Sequence, residues 1–174
     1  VVGSVIMAAM LLITAGTINY WQAWLFMAVF IASSSAVTVW LAIKDPALMA
    51  RRMSAGPTAE TEPRQKLIMS FAMVGFLGLF ILPSLDHRFG WTPVPAAVSL
   101  VGDGLVALGY LGIFFVFREN SYGASTVRIM QGQTVISTGP YGVVRHPMYA
   151  GAVVMLAGVP LALGSDRKSI RLNS

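Results

Sequence analysis

The sequence has no cysteine and few charged residues. None of the 174 residues is a cysteine, which excludes a disulfide framework, thiolate catalysis and a thiolate metal site. Charged residues make up 11% of the chain, whereas a typical soluble domain carries about 25%. The composition therefore argues against an ordinary soluble domain and favours an integral membrane protein.

The chain contains long apolar stretches. Hydrophobic residues make up 56% of the chain, and no charged residue occurs over 1–43. That stretch is too long for the apolar core of a signal peptide, and no basic segment precedes it. A spanning helix needs about 20 apolar residues. We predict an all-α integral membrane helical bundle with about five transmembrane segments, over 1–15, 21–43, 67–85, 93–117 and 148–164.

Changes in composition divide the chain into five segments, and basic residues indicate their orientation. Because Lys and Arg concentrate in the polar segments 44–66 and 118–147, the positive-inside rule places both in the cytoplasm, together with the N-terminus. A bacterial inner membrane is the expected location. The segments are two transmembrane helices (1–43), a cytoplasmic loop (44–66), two transmembrane helices (67–117), a motif-bearing segment with a fifth apolar helix (118–164) and an atypical tail (165–174).

The tail, SDRKSIRLNS, departs from this scheme. It is abruptly polar and follows an apolar segment that should leave the cytoplasm. Its basic residues would lie on the wrong side if that segment crosses the membrane completely. Either the segment is half of a re-entrant hairpin, or the tail is not the native continuation. We favour the second explanation and expect a chain truncated at its C-terminus.

The net charge of +5 could indicate a nucleic-acid partner, but basic residues do not form a run or alternate with aromatics. The lipid bilayer is the expected partner. A metal site is not expected either, because the two histidines, His87 and His146, fall on opposite predicted sides of the membrane.

The stretch GPYGVVRHPMYAG, residues 139–151, holds the chain's one Arg-His pair. Pro147 disfavours a helical conformation at His146 and is itself favoured at the first position of a helix. A helix is therefore predicted to begin at Pro147. Its free N–H groups suit an anion such as a carboxylate, and Arg145 adds further donors.

Two tyrosines and two glycines accompany this helix start. Tyr141 and Tyr149 offer ring faces and hydroxyl groups, whereas Gly142 and Gly151 allow close backbone approach. These features describe a small polar pocket at the membrane surface. They are also consistent with ordinary interfacial anchors and loop punctuation.

The predicted spans contain one carboxylate and several glycines. Asp103 lies inside the fourth span, where an ionisable residue is a functional candidate or a structural group near a kink. Tight helix contacts are predicted at the glycines Gly75, Gly78, Gly109 and Gly112.

Four stretches resemble a known family. They are Asn-Ser-Tyr at 120–122, Gly-Gln-Thr-Val-Ile at 132–136, Thr-Gly-Pro-Tyr at 138–141 and Val-Arg-His-Pro-Met-Tyr-x-Gly at 144–151. Their order and spacing are similar to the isoprenylcysteine carboxyl methyltransferase family, whose core is shared by phospholipid N-methyltransferases and other small membrane methyltransferases. The resemblance covers about a quarter of the chain.

The resemblance implies a methyltransferase that uses S-adenosylmethionine at the cytoplasmic membrane face. The expected acceptor is lipophilic or small, such as an isoprenylcysteine carboxylate. Arg145 would orient the acceptor or the cofactor. By motif, the cofactor contacts fall on Gln133, Thr134, Val135, Ile136, Tyr141, His146, Pro147, Met148 and Tyr149.

The chain departs from the family pattern after this motif. The family continues with a returning helix, an Arg and a pair of Glu, and none of these follows here. The resemblance therefore implies that this chain lacks part of the site, and binding of S-adenosylhomocysteine is expected of the full-length protein. The alternative hypothesis is a non-catalytic membrane protein, either a small transporter or a scaffold, in which Asp103 would matter more than His146.

Overall fold

The computed structural model describes residues 2–53, 63–120 and 137–164. Every long element within these residues is a helix, so the all-α prediction is confirmed there. A 3₁₀ turn, Gly139–Gly142, precedes the last helix. The helices are α1 (Val2–Ala15), α2 (Trp21–Lys44), α3 (Pro46–Met53), α4 (Pro63–Phe89), α5 (Ala96–Glu119) and α6 (Pro147–Ala162).

Three of these helices have the length and apolarity of a membrane span. They are α2, α5 and the part of α4 over Lys66–Phe89, each 24 residues long. Two further apolar helices, Gly3–Ala15 and Pro147–Ala162, are shorter, and a helix needs about 20 residues to cross the hydrocarbon core. Of the five predicted transmembrane segments, three therefore correspond to helices of spanning length.

Much of the predicted loop over 44–66 is helical. The side chain of Asp45 caps α3, because its Oδ1 accepts a hydrogen bond from the Leu48 N–H at 2.9 Å. Pro46 occupies the first helical position, where a missing N–H costs nothing. Leu48 is fully buried. The Asp45 cap, Pro46 and the buried Leu48 thus stabilise a short helix, whereas the polar composition of this segment predicted a loop.

The third predicted span is also longer than expected. Helix α4 continues past Leu85, through a segment predicted to be a loop, and ends at Phe89. Gly90 then has φ +63°, a left-handed conformation that glycine adopts without strain, and its N–H bonds the Asp86 carbonyl at 2.7 Å. Pro83 lies inside this helix without ending it.

Helices α5 and α6 pack as an antiparallel pair through glycines. A Cβ added to Gly102 would lie 2.2 Å from the Ala162 backbone nitrogen, and one added to Gly109 would lie 2.6 Å from that of Met155. On α6, a Cβ at Gly158 would lie 2.6 Å from the Gly102 carbonyl oxygen. Only glycine permits such close backbone approach, as is common between membrane helices.

The predicted glycine contacts are correct in one helix and wrong in another. Gly109 packs tightly against α6. A Cβ added to Gly112 would lie 3.6 Å from Cα of Gly151. Gly75 and Gly78 in α4 have no atom of the described residues within 4 Å of an added Cβ. Glycine content alone does not reveal which face of a helix meets a neighbour.

The ends of the helices contact one another at both ends of the bundle. At one end, the Tyr20 hydroxyl before α2 donates a hydrogen bond to the Leu163 carbonyl after α6, and the Tyr20 ring stacks on His87 with centroids 3.9 Å apart. At the other end, Leu41, Leu48 and Phe117 form a buried cluster against which Met148 packs. Helices α2 and α5 therefore run parallel, and the motif lies at the end that also holds α3.

Replacing Gly102 by Ala tests the glycine contact. We expect Gly102→Ala to lower the free energy of unfolding by about 1–3 kcal/mol, because the new methyl group overlaps the backbone of α6. Gly104→Ala is the matched control, since among residues 2–53, 63–120 and 137–164 no atom lies within 4 Å of its added Cβ. It should be neutral or slightly stabilising. Thermal unfolding in detergent, followed by circular dichroism, measures both; equal midpoints would contradict the packing described.

Candidate functional site

The motif forms a tight turn before α6. Gly139 has φ +56°, in the left-handed region that favours glycine. The N–H groups of Val143 and Val144 both bond the Pro140 carbonyl, at 3.2 and 3.1 Å. The Gly-Pro pair thus reverses the chain and directs it into the helix start.

This turn is attached to the end of α5. The Asn120 amide nitrogen donates a hydrogen bond to the Tyr141 hydroxyl at 2.7 Å, and the Thr138 hydroxyl donates one to the Glu119 carboxylate. A Cβ on Gly139 would lie 3.0 Å from Cδ of Glu119. The sequence does not mark Glu119 as part of the site, because its partner is 19 residues away and no local pattern indicates the pair.

Helix α6 begins at Pro147, as predicted. His146 precedes it in a non-helical conformation, φ −129° and ψ 67°, and its side chain makes no capping hydrogen bond. The first N–H groups of a helix have no partner within the helix. Because the positive end of the helix dipole lies at the same point, an anion is favoured there.

The predicted site residues differ in exposure. Arg145, His146 and Tyr149 are exposed, and the rings of His146 and Tyr149 lie 5.8 Å apart. Tyr141 is half-buried. The predicted contacts Gln133, Thr134, Val135 and Ile136 lie outside the described residues.

Three other motif residues face the protein. Pro147 is buried, and Met148 packs against the cluster around Phe117. Gly151 was predicted to allow close backbone approach, and α5 is the neighbour that approaches it: an added Cβ would lie 3.1 Å from the Gly109 carbonyl oxygen. This glycine therefore serves helix packing.

An apolar groove lies beside the turn. It has a volume of about 380 Å³ and runs between α5, the 3₁₀ turn and the start of α6. Among the described residues, only apolar side chains and glycines line it. Val143 is 85% exposed at its edge. The main lining residues are Leu108, Leu111, Phe115, Val144, Ala150 and Val154. The polar start of α6 therefore lies next to an apolar surface that could accommodate a hydrocarbon chain.

Asp103 lies far from this turn. It is 16 residues before Glu119 on α5, which corresponds to about 24 Å along a helix. The residue is 5% exposed, and within the described parts of the chain neither carboxylate oxygen has a hydrogen-bond partner. The structure thus does not bring Asp103 together with the motif.

A comparison with protein families identifies what the motif region is similar to. Residues 98–170 match the model of the phospholipid methyltransferase family. The resemblance predicted from the motifs is thereby confirmed over this part of the chain. No curated protein and no solved structure gives a match. Together with three helices of spanning length, the family match indicates a membrane methyltransferase.

Asp103→Asn tests whether the buried carboxylate belongs to the same site. The amide has nearly the same shape without the charge, so we expect an equal or higher thermal midpoint. S-adenosylhomocysteine is the ligand that the family resemblance implies for the motif. Its affinity, measured by calorimetry, should change less than about twofold, because about 24 Å separate Asp103 from Glu119 along α5. A folded variant with a much lower affinity would contradict the separation of Asp103 from the motif.

Proposed function

We propose that this chain, whose residues 98–170 match the phospholipid methyltransferase model, transfers a methyl group from S-adenosylmethionine to a lipophilic or small acceptor at the membrane surface. One observation carries the proposal. The helix start at Pro147, the turn over Gly139–Gly142 and the end of α5 meet at one point, and an apolar groove opens beside it. A polar donor and an apolar acceptor could thus be bound side by side.

The residues at this point fit the donor's functional groups. S-adenosylmethionine has a carboxylate, which suits the uncapped start of α6 and the guanidinium of Arg145. The exposed rings of His146 and Tyr149 offer flat surfaces for the rest of the molecule. When bound, the donor supplies a methyl group activated by a sulfonium. Tyr141, fixed by Asn120, adds a rigid wall to this half of the pocket.

The chain's task in such a reaction is alignment. Methyl transfer is an in-line displacement, and holding the two reactants in the correct geometry can lower the barrier by roughly 7–11 kcal/mol at best. A carboxylate or thiolate acceptor is already anionic and needs no general base. We therefore assign Arg145 to orientation of an anionic group and His146 to cofactor contact. An amine acceptor would have to lose a proton to another group.

The groove supports a lipophilic acceptor. Its lining offers a hydrocarbon chain no polar group to desolvate. Its position between the spanning helix α5 and the turn would let a chain enter sideways from the bilayer. An isoprenylcysteine carboxylate meets both requirements, because it joins an anion to a long apolar chain.

The binding of S-adenosylhomocysteine tests the donor half of the proposal. We expect His146→Ala and Tyr149→Ala, each of which removes a ring, to weaken binding about threefold to tenfold, as loss of one contact worth about 0.5–1.5 kcal/mol would do. Val153→Ala is the control, since Val153 is an exposed α6 residue two turns away from His146. Isothermal titration calorimetry on the purified chain provides the affinities. The absence of any binding by the folded wild-type chain would refute this half.

A methyl-transfer assay with three acceptors tests the other half. The panel contains a prenylcysteine carboxylate, a phosphatidylethanolamine and a small thiol, each with radiolabelled donor. Ala150→Trp should fill the groove and lower kcat/KM for the long-chain acceptors about tenfold or more, because the indole ring occupies the space that the acceptor's hydrocarbon chain would take. It should leave S-adenosylhomocysteine affinity and small-thiol turnover unchanged. An equal loss of kcat/KM for all three acceptors would show that the groove does not bind the acceptor's hydrocarbon chain.

A further inference from the structure

Three buried polar side chains lack hydrogen-bond partners at the end of the bundle opposite the motif. Gln22 lies at the start of α2, and Ser99 and Asp103 lie one turn apart near the start of α5. Gln22 and Ser99 are fully buried, and Asp103 is nearly so. Within the described residues, no partner contacts the Gln22 amide, the Ser99 hydroxyl or the Asp103 carboxylate. Because buried polar groups are rarely left unpaired, these atoms together indicate a bound group between them.

Helices α2 and α5 bring the three side chains to the same level. The rings of Phe30 and Tyr110 are in contact, with centroids 5.4 Å apart. Gln22 precedes Phe30 by eight residues, or about 12 Å, on the same face of α2. Asp103 precedes Tyr110 by seven residues, or about 10 Å, on the same face of α5, and Ser99 lies one turn earlier. Since the two helices run parallel, the level of Gln22 falls between those of Ser99 and Asp103.

A second set of contacts holds the start of α2 near the same part of α5. The Tyr20 hydroxyl donates a hydrogen bond to the Leu163 carbonyl at the end of α6. A Cβ added to Gly102 would lie 2.2 Å from the backbone nitrogen of the residue just before Leu163. Gln22 follows Tyr20 by two residues, and Gly102 is the neighbour of Asp103. Both contacts therefore place the Gln22 amide on the side of the Asp103 carboxylate.

The Asp103 carboxylate needs a counter-charge. It lies about 10 Å from the start of α5, inside a helix of spanning length, where an ionised side chain is costly unless it is paired. The described charged side chains at this end make other contacts: Arg88 lies 5.8 Å from the centre of the Phe89 ring, and Asp86 accepts the Thr92 N–H at 2.8 Å. Buried water would satisfy hydrogen bonds but would leave the charge uncompensated. The charge therefore favours a cation.

The donor atoms indicate which cation fits. A carboxylate, a hydroxyl and an amide carbonyl are oxygen ligands, which hard cations prefer. The described residues contain no group of three His, Cys, Asp or Glu side chains that could hold a transition metal. One carboxylate balances one positive charge, so a monovalent ion leaves the site neutral, whereas a divalent ion would leave a net charge in an apolar surrounding.

We propose that Gln22, Ser99 and Asp103 bind a small monovalent cation, such as Na⁺, between α2 and α5. The Asp103 carboxylate, the Ser99 hydroxyl and the Gln22 amide oxygen are its ligands. Water completes the coordination shell and accepts a hydrogen bond from the Gln22 Nε2. The bound ion joins the start of α2 to α5 at the end of the bundle opposite the motif. This site does not depend on the proposed methyl transfer.

Thermal unfolding tests the proposal. The chain is purified in neutral detergent in choline chloride and titrated with NaCl, KCl or MgCl₂ at constant pH and ionic strength. We expect NaCl or KCl to raise the thermal midpoint by about 3–6 °C at roughly ten times the Kd, because a ligand that binds the folded state stabilises it. No rise above choline chloride would overturn the proposal and leave water or a proton as the bound group. A rise with MgCl₂ alone would contradict the monovalent assignment.

Variants identify the ligands through the difference between midpoints with and without NaCl or KCl. Asp103→Asn should abolish this difference. In choline chloride alone it should unfold at an equal or higher midpoint than the wild type, because it carries no uncompensated charge. Ser99→Ala should weaken cation binding about tenfold, as loss of one contact to a charged group would do.

Ser84→Ala is the matched control for Ser99→Ala. Ser84 is also fully buried at this end of the bundle, but its hydroxyl already donates a hydrogen bond to the Phe80 carbonyl at 2.9 Å. Its variant should keep the full cation-dependent rise, whatever its midpoint in choline chloride. An undiminished rise in Asp103→Asn, or equal losses of the rise in Ser84→Ala and Ser99→Ala, would refute the assignment of the ligands.

Discussion

The structure depends on the close approach of two backbones, those of α5 and α6. Glycines at 102 and 109 on one helix and at 158 on the other remove the side chains that would keep the helices apart. In a membrane, apolar side chains gain little by leaving lipid, so the gain comes from such dense packing. The contact fixes the register of α6 against α5. It thereby brings the start of α6 beside the end of α5, where the motif turn is held by Glu119 and Asn120.

The sequence predicted features that depend on composition or on local stereochemistry. Low charge and long apolar runs predicted the helical membrane fold, and the restriction that proline imposes on its neighbour predicted the helix start at Pro147. Features that depend on pairs of distant residues were missed. Nothing near Glu119 marks it as a partner of Thr138, and Gly75 differs from Gly109 only in what lies opposite. Helix α3 was missed for another reason: its Asp-Pro start was visible at 45–46, but the surrounding polar residues favoured a loop.

Helix α5 separates two cavities of different chemistry. One side, with Leu108, Leu111 and Phe115, forms an apolar groove next to the polar start of α6. The other side, with Ile113 and Phe117, meets a cavity that has a guanidinium at its mouth. Both open near the same end of the bundle, and both have an apolar interior. The rim of the groove includes the free N–H groups at the start of α6, and the rim of the other cavity includes a guanidinium. The single helix α5 therefore separates the apolar groove beside the motif from a second space with a different lining.

The hydrogen bond from Tyr20 to the Leu163 carbonyl has a consequence for the order of events during synthesis. The two residues are 143 positions apart. At a translation rate of about 5–20 residues per second, the Tyr20 hydroxyl is made roughly 7–30 s before its acceptor. During that interval the first helices must be held in the membrane by their own contacts, such as the stacking of Tyr20 on His87. The final arrangement is thus completed late, when α6 packs on the glycine-lined face of α5 and the start of α2 is joined to the end of α6.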